Sequence, residues 1–164
     1  MVSTTISTTQ SAQVADRAAL RAGLEATRTA FHALIDSVSA DRWIEKSPRS
    51  DWTVGEVLVH LTWALEYLPK EVSLARRGKG MFNAPKWLAD PVSYRYVRLL
   101  ARKSTPDSVR RRYDAAITAA IKLLDTIPDS DWTRGANFYG EGFHTVEDLF
   151  RAPAQHLVEH TVGL

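Results

Sequence analysis

Of the residue types that commonly hold metals or carry nucleophilic chemistry, this 164-residue chain has no cysteine and five histidines: His32, His60, His144, His156 and His160. Two of them stand four positions apart in the stretch QHLVEH, residues 155–160. On a helix, residues four apart lie one above the other, so the imidazoles of His156 and His160 can address the same ion. His60 sits among Leu58, Val59 and Leu61, where a buried imidazole needs either a hydrogen-bond partner or a metal. Helical bundles assemble metal sites from facing helices in this way, and three neutral nitrogens leave a fourth position for water or substrate. Without thiolates, any metal must be held by nitrogen and oxygen, and neither a disulfide framework nor a cysteine nucleophile is open to the chain. The same three histidines also read as hydrogen-bonded polar residues on helix faces, and spacing alone does not separate the two readings. His32 falls on the surface pattern of the first helix, and His144 reads as part of the turn and cap before Thr145.

The letters HLVEH also fit the H-x-x-E-H pattern of inverted zinc peptidases, with Glu159 as general base. That chemistry calls for a further acidic ligand well downstream, and only four residues follow His160.

The elements that must position these side chains are helical. From about Ala12 to Val38, apolar residues Val14, Leu20, Leu24, Phe31, Leu34, Ile35 and Val38 recur at three-to-four spacing, the signature of an amphipathic helix. Pro48 closes off the polar turn that follows. Thr53 then opens a second helix with Glu56 in capping-box register, burying Val54, Val57, Leu58, Leu61, Leu65 and Leu68 until Pro69 kinks or ends it. Gly78 to Thr105 reads as a long crossover containing one short helical piece after Pro91. A third helix runs from Pro106 to about Ile127, burying Val109, Tyr113, Ile117, Ile121 and Leu124. A glycine-rich aromatic loop, DWTRGANFYGEGFH, leads to a fourth helix beginning at Thr145, in which Pro153 interrupts or merely kinks the run. No strand is expected. The start at Thr53 is echoed at Thr145, with Glu56 near Asp148 in register, which we read as shared capping chemistry rather than duplication. Together these features predict an all-α fold, a four-helix bundle with a long crossover between helices 2 and 3. Residues 1–10 are expected to be a disordered tail and 11–164 a single helical domain.

With His60 inside DWTVGEVLVHLTWALEYL, and TVEDLFRAPAQHLVEHTVGL at its other end, the chain resembles the DinB/YfiT-like superfamily over everything after the tail. The resemblance implies a four-helix bundle with a long connection between helices two and three. It also implies a divalent ion, zinc or nickel, held by His60, His156 and His160. Further, it implies kinship with enzymes that transfer low-molecular-weight thiols such as bacillithiol or mycothiol, and with mycothiol-dependent maleylpyruvate isomerase. A three-histidine site lowers the pKa of a bound water towards neutrality and deprotonates a bound thiol. The expected function is therefore a thiol-dependent transferase or isomerase. A metal-dependent hydrolase and a non-catalytic metal-binding or stress-related bundle are the alternatives.

Around the triad, Glu56 and Glu159 are candidates to orient ligand imidazoles, although Glu56 has a competing claim as a cap. Trp63 is a candidate wall of the pocket, and the loop residues Arg134, Asn137, Phe138 and Tyr139 a candidate rim. The arginines Arg95, Arg98, Arg102, Arg110, Arg111 and Arg112 form a cationic stretch. With a net charge of only +2, we read them as a solvated face or as a rim for a charged thiol cofactor rather than a nucleic-acid surface. The expected partner is a small-molecule substrate, with no membrane and no nucleic acid. A homodimer through an outer helix face carrying Leu99 and Leu100 is a further expectation. The first residues show neither the basic nor the apolar region of a secretory signal, so a cytoplasmic protein is expected.

Overall fold

The structure, a computed structural model, describes residues 15–81 and 86–164. Four long helices form the bundle: α1 (Arg17–Ser37), α3 (Val54–Ala75), α5 (Pro106–Asp125) and α6 (Val146–Thr161). Contacts run α1 to α5, α5 to α3, α3 to α6 and α6 back to α1, a closed ring around one apolar core. The short α2 (Ala40–Ile44) and the crossover helix α4 (Lys86–Ala101) both pack on α3. The all-α, DinB-like bundle read from sequence is the observed fold. The expected disordered tail and Val14 lie outside the described residues.

Local chemistry sets the helix starts. Asp16 accepts a hydrogen bond from the Ala19 amide, so α1 begins at Arg17 rather than near residue 12. From there Leu20, Leu24, Thr27, Phe31 and Ile35 are buried at three-to-four spacing, and Phe31 stacks on Tyr113 of α5. Thr53 with Glu56, Thr105 with Ser108 and Thr145 with Asp148 form three reciprocal caps, each satisfying amides that a helix start leaves without partners.

Three sequence expectations need correction. Pro69 does not end its helix, which runs on to Ala75, and Pro153 is likewise carried inside α6. A proline removes one backbone hydrogen bond, and close packing along the rest of the helix outweighs that loss. The crossover holds no short piece after Pro91 but a 16-residue helix that starts before it. Finally, the loop before α6 contains a hairpin of β1 (Gly135–Phe138) and β2 (Gly142–Thr145), antiparallel with Gly135 opposite Thr145. Tyr139 and Gly140 both take positive φ, 56° and 72°, while the Glu141 amide donates to the Phe138 carbonyl at 3.0 Å. Positive φ at both central residues is the feature that type I′ turns share, here with Glu141 as an extra residue before Gly142 pairs with Phe138. The hairpin docks on the chain leaving α3, where the Tyr139 amide donates to the Met81 carbonyl at 3.0 Å.

Candidate metal centre

α3 and α6 run antiparallel, so the first half of one lies beside the last turns of the other. This brings His60 to His156 and His160. The Nε2 atoms of His60 and His156 are 3.1 Å apart. Ring centroids stand 4.9 Å from His60 to each of the others and 4.6 Å between His156 and His160. One nitrogen from each ring falls within 4.8 Å of the other two, and among the described residues no carboxylate joins the group. For comparison, nitrogens about 2.0–2.1 Å from a tetrahedral ion lie roughly 3.3 Å apart.

Electrostatics favour neutral rings. Burial, then the neighbouring rings His156 and His160, pushes His60 from the usual 6.5 down to about 3. Burial and His160 bring His156 down to about 4 against the opposing pull of Glu159, and burial lowers His160 as well. A neutral imidazole is the form that offers a lone pair to a cation. The Nδ1 of His60 is buried with no hydrogen-bond partner among the described residues. A partly buried cluster of neutral imidazoles fits a borderline divalent ion such as zinc or nickel.

Two aromatic residues that the sequence reading passed over build the wall. Trp52, just before the Thr53 cap, lies 4.7 Å from the His60 ring and 6.4 Å from His160, and on its other side it stacks on Tyr94 of α4 at 4.5 Å. The turn holding Trp52 is clasped by the Ser47 amide donating to the Trp52 carbonyl at 2.8 Å and the Val54 amide donating to Glu45 at 2.9 Å. The Asp51 amide donates to the Tyr94 hydroxyl at 2.9 Å and ties α4 to the same turn. The signal was available in DWTVG, a tryptophan placed directly before the cap of the ligand-bearing helix. What sequence did not show is that the crossover helix would supply its stacking partner. Trp63, a named candidate, is near the cluster, 6.3 Å from His60, and makes contact with Tyr67 and Tyr96. The indole N–H groups of Trp52 and Trp63 are buried without partners among the described residues.

The remaining candidates lie elsewhere or have other work. Glu56 accepts from the Thr53 amide at 2.9 Å and sits 3.7 Å from Arg98, so its carboxylate serves the cap. Glu159 is exposed and accepts from Gln155 at 2.8 Å, and it reaches the cluster through its charge alone. Arg134 leans on Asp131 at 3.4 Å, and the Tyr139 hydroxyl donates to Glu71. Glu71 is eleven residues beyond His60 on the same helix, roughly 16 Å along the axis at 1.5 Å per residue. The structure therefore does not bring Arg134 and Tyr139 to the histidines, because the hairpin folds against the opposite end of α3. Asn137 and Phe138 belong to the same hairpin. His32 is paired with Asp114 at 2.8 Å, and His144 lies on β2. Of the cationic stretch, Arg110 pairs with Asp36, and Arg112 holds Glu66 through two nitrogens at 2.8 and 2.7 Å. Leu99 is exposed, whereas Leu100 packs against the core.

An antiparallel helical bundle with three imidazoles gathered in its interior defines the class of helical proteins built around a candidate metal site. The chain belongs to the DinB superfamily, whose family model matches residues 23–161. No curated protein sequence matches it. Among solved structures, it is similar in fold to the colibactin self-resistance protein ClbS, crystallised in complex with a dsDNA. That match has 11% identity and a TM-score of 0.60, and covers 90% of this chain and 96% of that one. The ClbS complex overturns the expectation that set nucleic acid aside: a protein of this fold has been crystallised with a duplex, so a small net charge is no ground for excluding that class of partner. Among the described residues, no helix is long and apolar enough to cross a membrane.

Proposed function

We propose that the chain is a divalent-metal-dependent enzyme acting on a small molecule, with a low-molecular-weight thiol such as mycothiol or bacillithiol as co-substrate, in a transferase or isomerase reaction. The observation that carries this reading is the convergence of three neutral, partly buried imidazoles with, among the described residues, no carboxylate completing the set. His60, His156 and His160 would hold the ion, zinc or nickel. When bound, the ion would supply Lewis acidity, lowering the pKa of a water or thiol placed on it. The chain's own residues do the rest. Trp52 and Tyr94 shield the ligands from solvent, which strengthens every electrostatic interaction within. Trp63, Tyr67 and Tyr96 offer an aromatic surface for the apolar part of a substrate, and the indole N–H groups of Trp52 and Trp63, without partners among the described residues, are donors for an acceptor on it. Because the chain lacks cysteine, a reacting sulfur has to arrive with the co-substrate. Metal-dependent hydrolysis uses the same ligands and differs only in the nucleophile.

The test is metal analysis of purified protein, then turnover assays with thiols and electrophiles. The expected result is a single equivalent of zinc or nickel per chain, lost in His60→Ala and His160→Ala, together with thiol-dependent turnover that follows the metal. Metal content unchanged in both variants overturns the reading. Metal without turnover favours a non-catalytic metal-binding protein.

A second reading, association with DNA, is supported by the duplex in the ClbS complex and by the exposure of Arg95, Arg102 and Arg111. Mobility shift of a duplex that weakens steeply with salt supports it, and no shift at low salt removes it.

A further inference from the structure

Where α3 ends, the side chains of Arg76, Arg77 and Arg134 line an open cleft of about 550 Å³ together with Thr133, Gly135 and Phe143. It lies roughly 24 Å along α3 from His60, sixteen residues at 1.5 Å each. The cleft has its own construction. Asp131, nearly buried, accepts from Nε of Arg76 at 2.7 Å and lies 3.4 Å from Nη1 of Arg134, so one carboxylate braces two guanidinium groups. Arg77 is braced by its own helix, donating to the Ser73 carbonyl at 3.0 Å and the Ser73 hydroxyl at 3.1 Å. A guanidinium carries five N–H donors, and these contacts use no more than two of them on any of the three. Three cations face one anion here, leaving an excess of two positive charges. The carbonyls at the end of α3 do not cancel it, since Gly78 and Lys79 donate back to Ala75 and Leu74 at 2.9 Å each.

Beside the arginines stands an exposed aromatic. Phe143 is 62% exposed. Its ring lies across Gly135, where any added Cβ would come within 2.8 Å of two ring carbons. An exposed, positioned ring next to unspent guanidinium donors suits a ligand that carries a phosphate and a flat aromatic group together. The cleft volume falls within the usual range of small-ligand sites.

We propose that this cleft binds a nucleotide phosphate, with the arginines on the phosphate and the base stacked on Phe143. The ligand's source is a free mononucleotide or the end of a single strand. The proposal is independent of the histidine site. Binding is measured by calorimetry at low ionic strength with AMP, inorganic phosphate and a 5′-phosphorylated single-stranded oligonucleotide, on wild type, Arg77→Glu/Arg134→Glu and Phe143→Ala. AMP is expected to bind saturably and to weaken at least about tenfold in the double arginine variant. Phe143→Ala should weaken AMP about fivefold or more while leaving inorganic phosphate unchanged. An oligonucleotide bound more tightly than AMP identifies the source as a strand end, and equal affinities identify a free nucleotide. Metal content measured in the same samples should not change, which keeps a failure here separate from a failure at the histidines. The proposal is overturned if none of the three probes binds, if binding survives the double arginine variant, or if Phe143→Ala leaves AMP affinity unaltered.

Discussion

The two ends of α3 solve opposite problems. At its start, His60 meets two other imidazoles in an apolar setting, and neutrality is maintained by burial and by the neighbouring rings, with a ring nitrogen and two indole donors left without partners among the described residues. At its far end the carboxyl groups are matched, Asp131 by Arg76 and Arg134 and Glu71 by a hydrogen bond from the Tyr139 hydroxyl, while the arginines outnumber the carboxylate they share. The difference teaches that the two ends suit ligands of opposite sign: neutral imidazole nitrogens at the first end offer lone pairs to a cation, and guanidinium donors beyond those held by Asp131 and Ser73 at the other face an anion.

On that contrast, removing a metal should matter only at the first end. Chelation is expected to lower the melting temperature of wild-type protein and leave His60→Ala unmoved. The stabilisation lost amounts to about 4 kcal/mol where the free ion stood a thousandfold above its dissociation constant, and scanning calorimetry with and without chelator checks it. The next largest effect belongs to the matched end. Asp131→Ala strips the brace from Arg76 at a nearly buried position and should cost about 2 kcal/mol, less than a fully buried pair because the Arg76 side chain is a third exposed. Denaturant titration would measure it, and metal stoichiometry should remain that of wild type.

A smaller change sharpens the comparison from the other side. Gly55 lies under the Trp43 ring, where an added Cβ would meet ring atoms at 2.4 Å. Gly55→Ala is therefore expected to cost about 1–2 kcal/mol by overpacking. It should also loosen metal retention, since it pries at the turn that seats Trp52, and a variant that loses stability with unaltered metal affinity would show that the turn does not support the site. The smallest effect is a slope. Burial holds the Glu71 carboxyl above its ordinary value, against the opposing hydrogen bond from Tyr139. Stability from its neutral form is complete below the unfolded carboxyl value of about 4.3 and is lost as pH rises through the raised folded value. Glu71→Gln should flatten that decline, seen by denaturation at a series of pH values from about 4 upward.

How much of this was legible in sequence follows from which parts are local. Helices α1, α3, α5 and α6 announced themselves through apolar spacing, and the last three also through Thr53, Pro106 and Thr145 at their starts, because both signals act within a few residues; the Asp16 cap was not recognised, so α1 was placed about five residues early. Spacing placed His156 and His160 on one helix face and His60 on another helix, but it left the metal reading open, and the family resemblance joined the three. The hairpin was missed because GANF and GFHT are each four residues long and glycine-bearing, too short to display a period of two. The direction in which it folds depends on a turn at Tyr139 and Gly140, and so Arg134 and Tyr139 were assigned to the wrong end. Trp52 and Tyr94 come together from elements some forty residues apart, and no local pattern reports such a meeting.

The reciprocal caps at Thr53 and Thr145 act as the zero marks from which both ligand-bearing helices are measured. Each inserted residue turns a helix by about 100°, so one extra residue between Thr145 and His156 would swing both imidazoles out of the interior. A residue added at the tip near Gly140 rotates nothing. Length variation should therefore be forbidden between cap and histidine and free at the hairpin tip, a constraint imposed by angle rather than by chemistry.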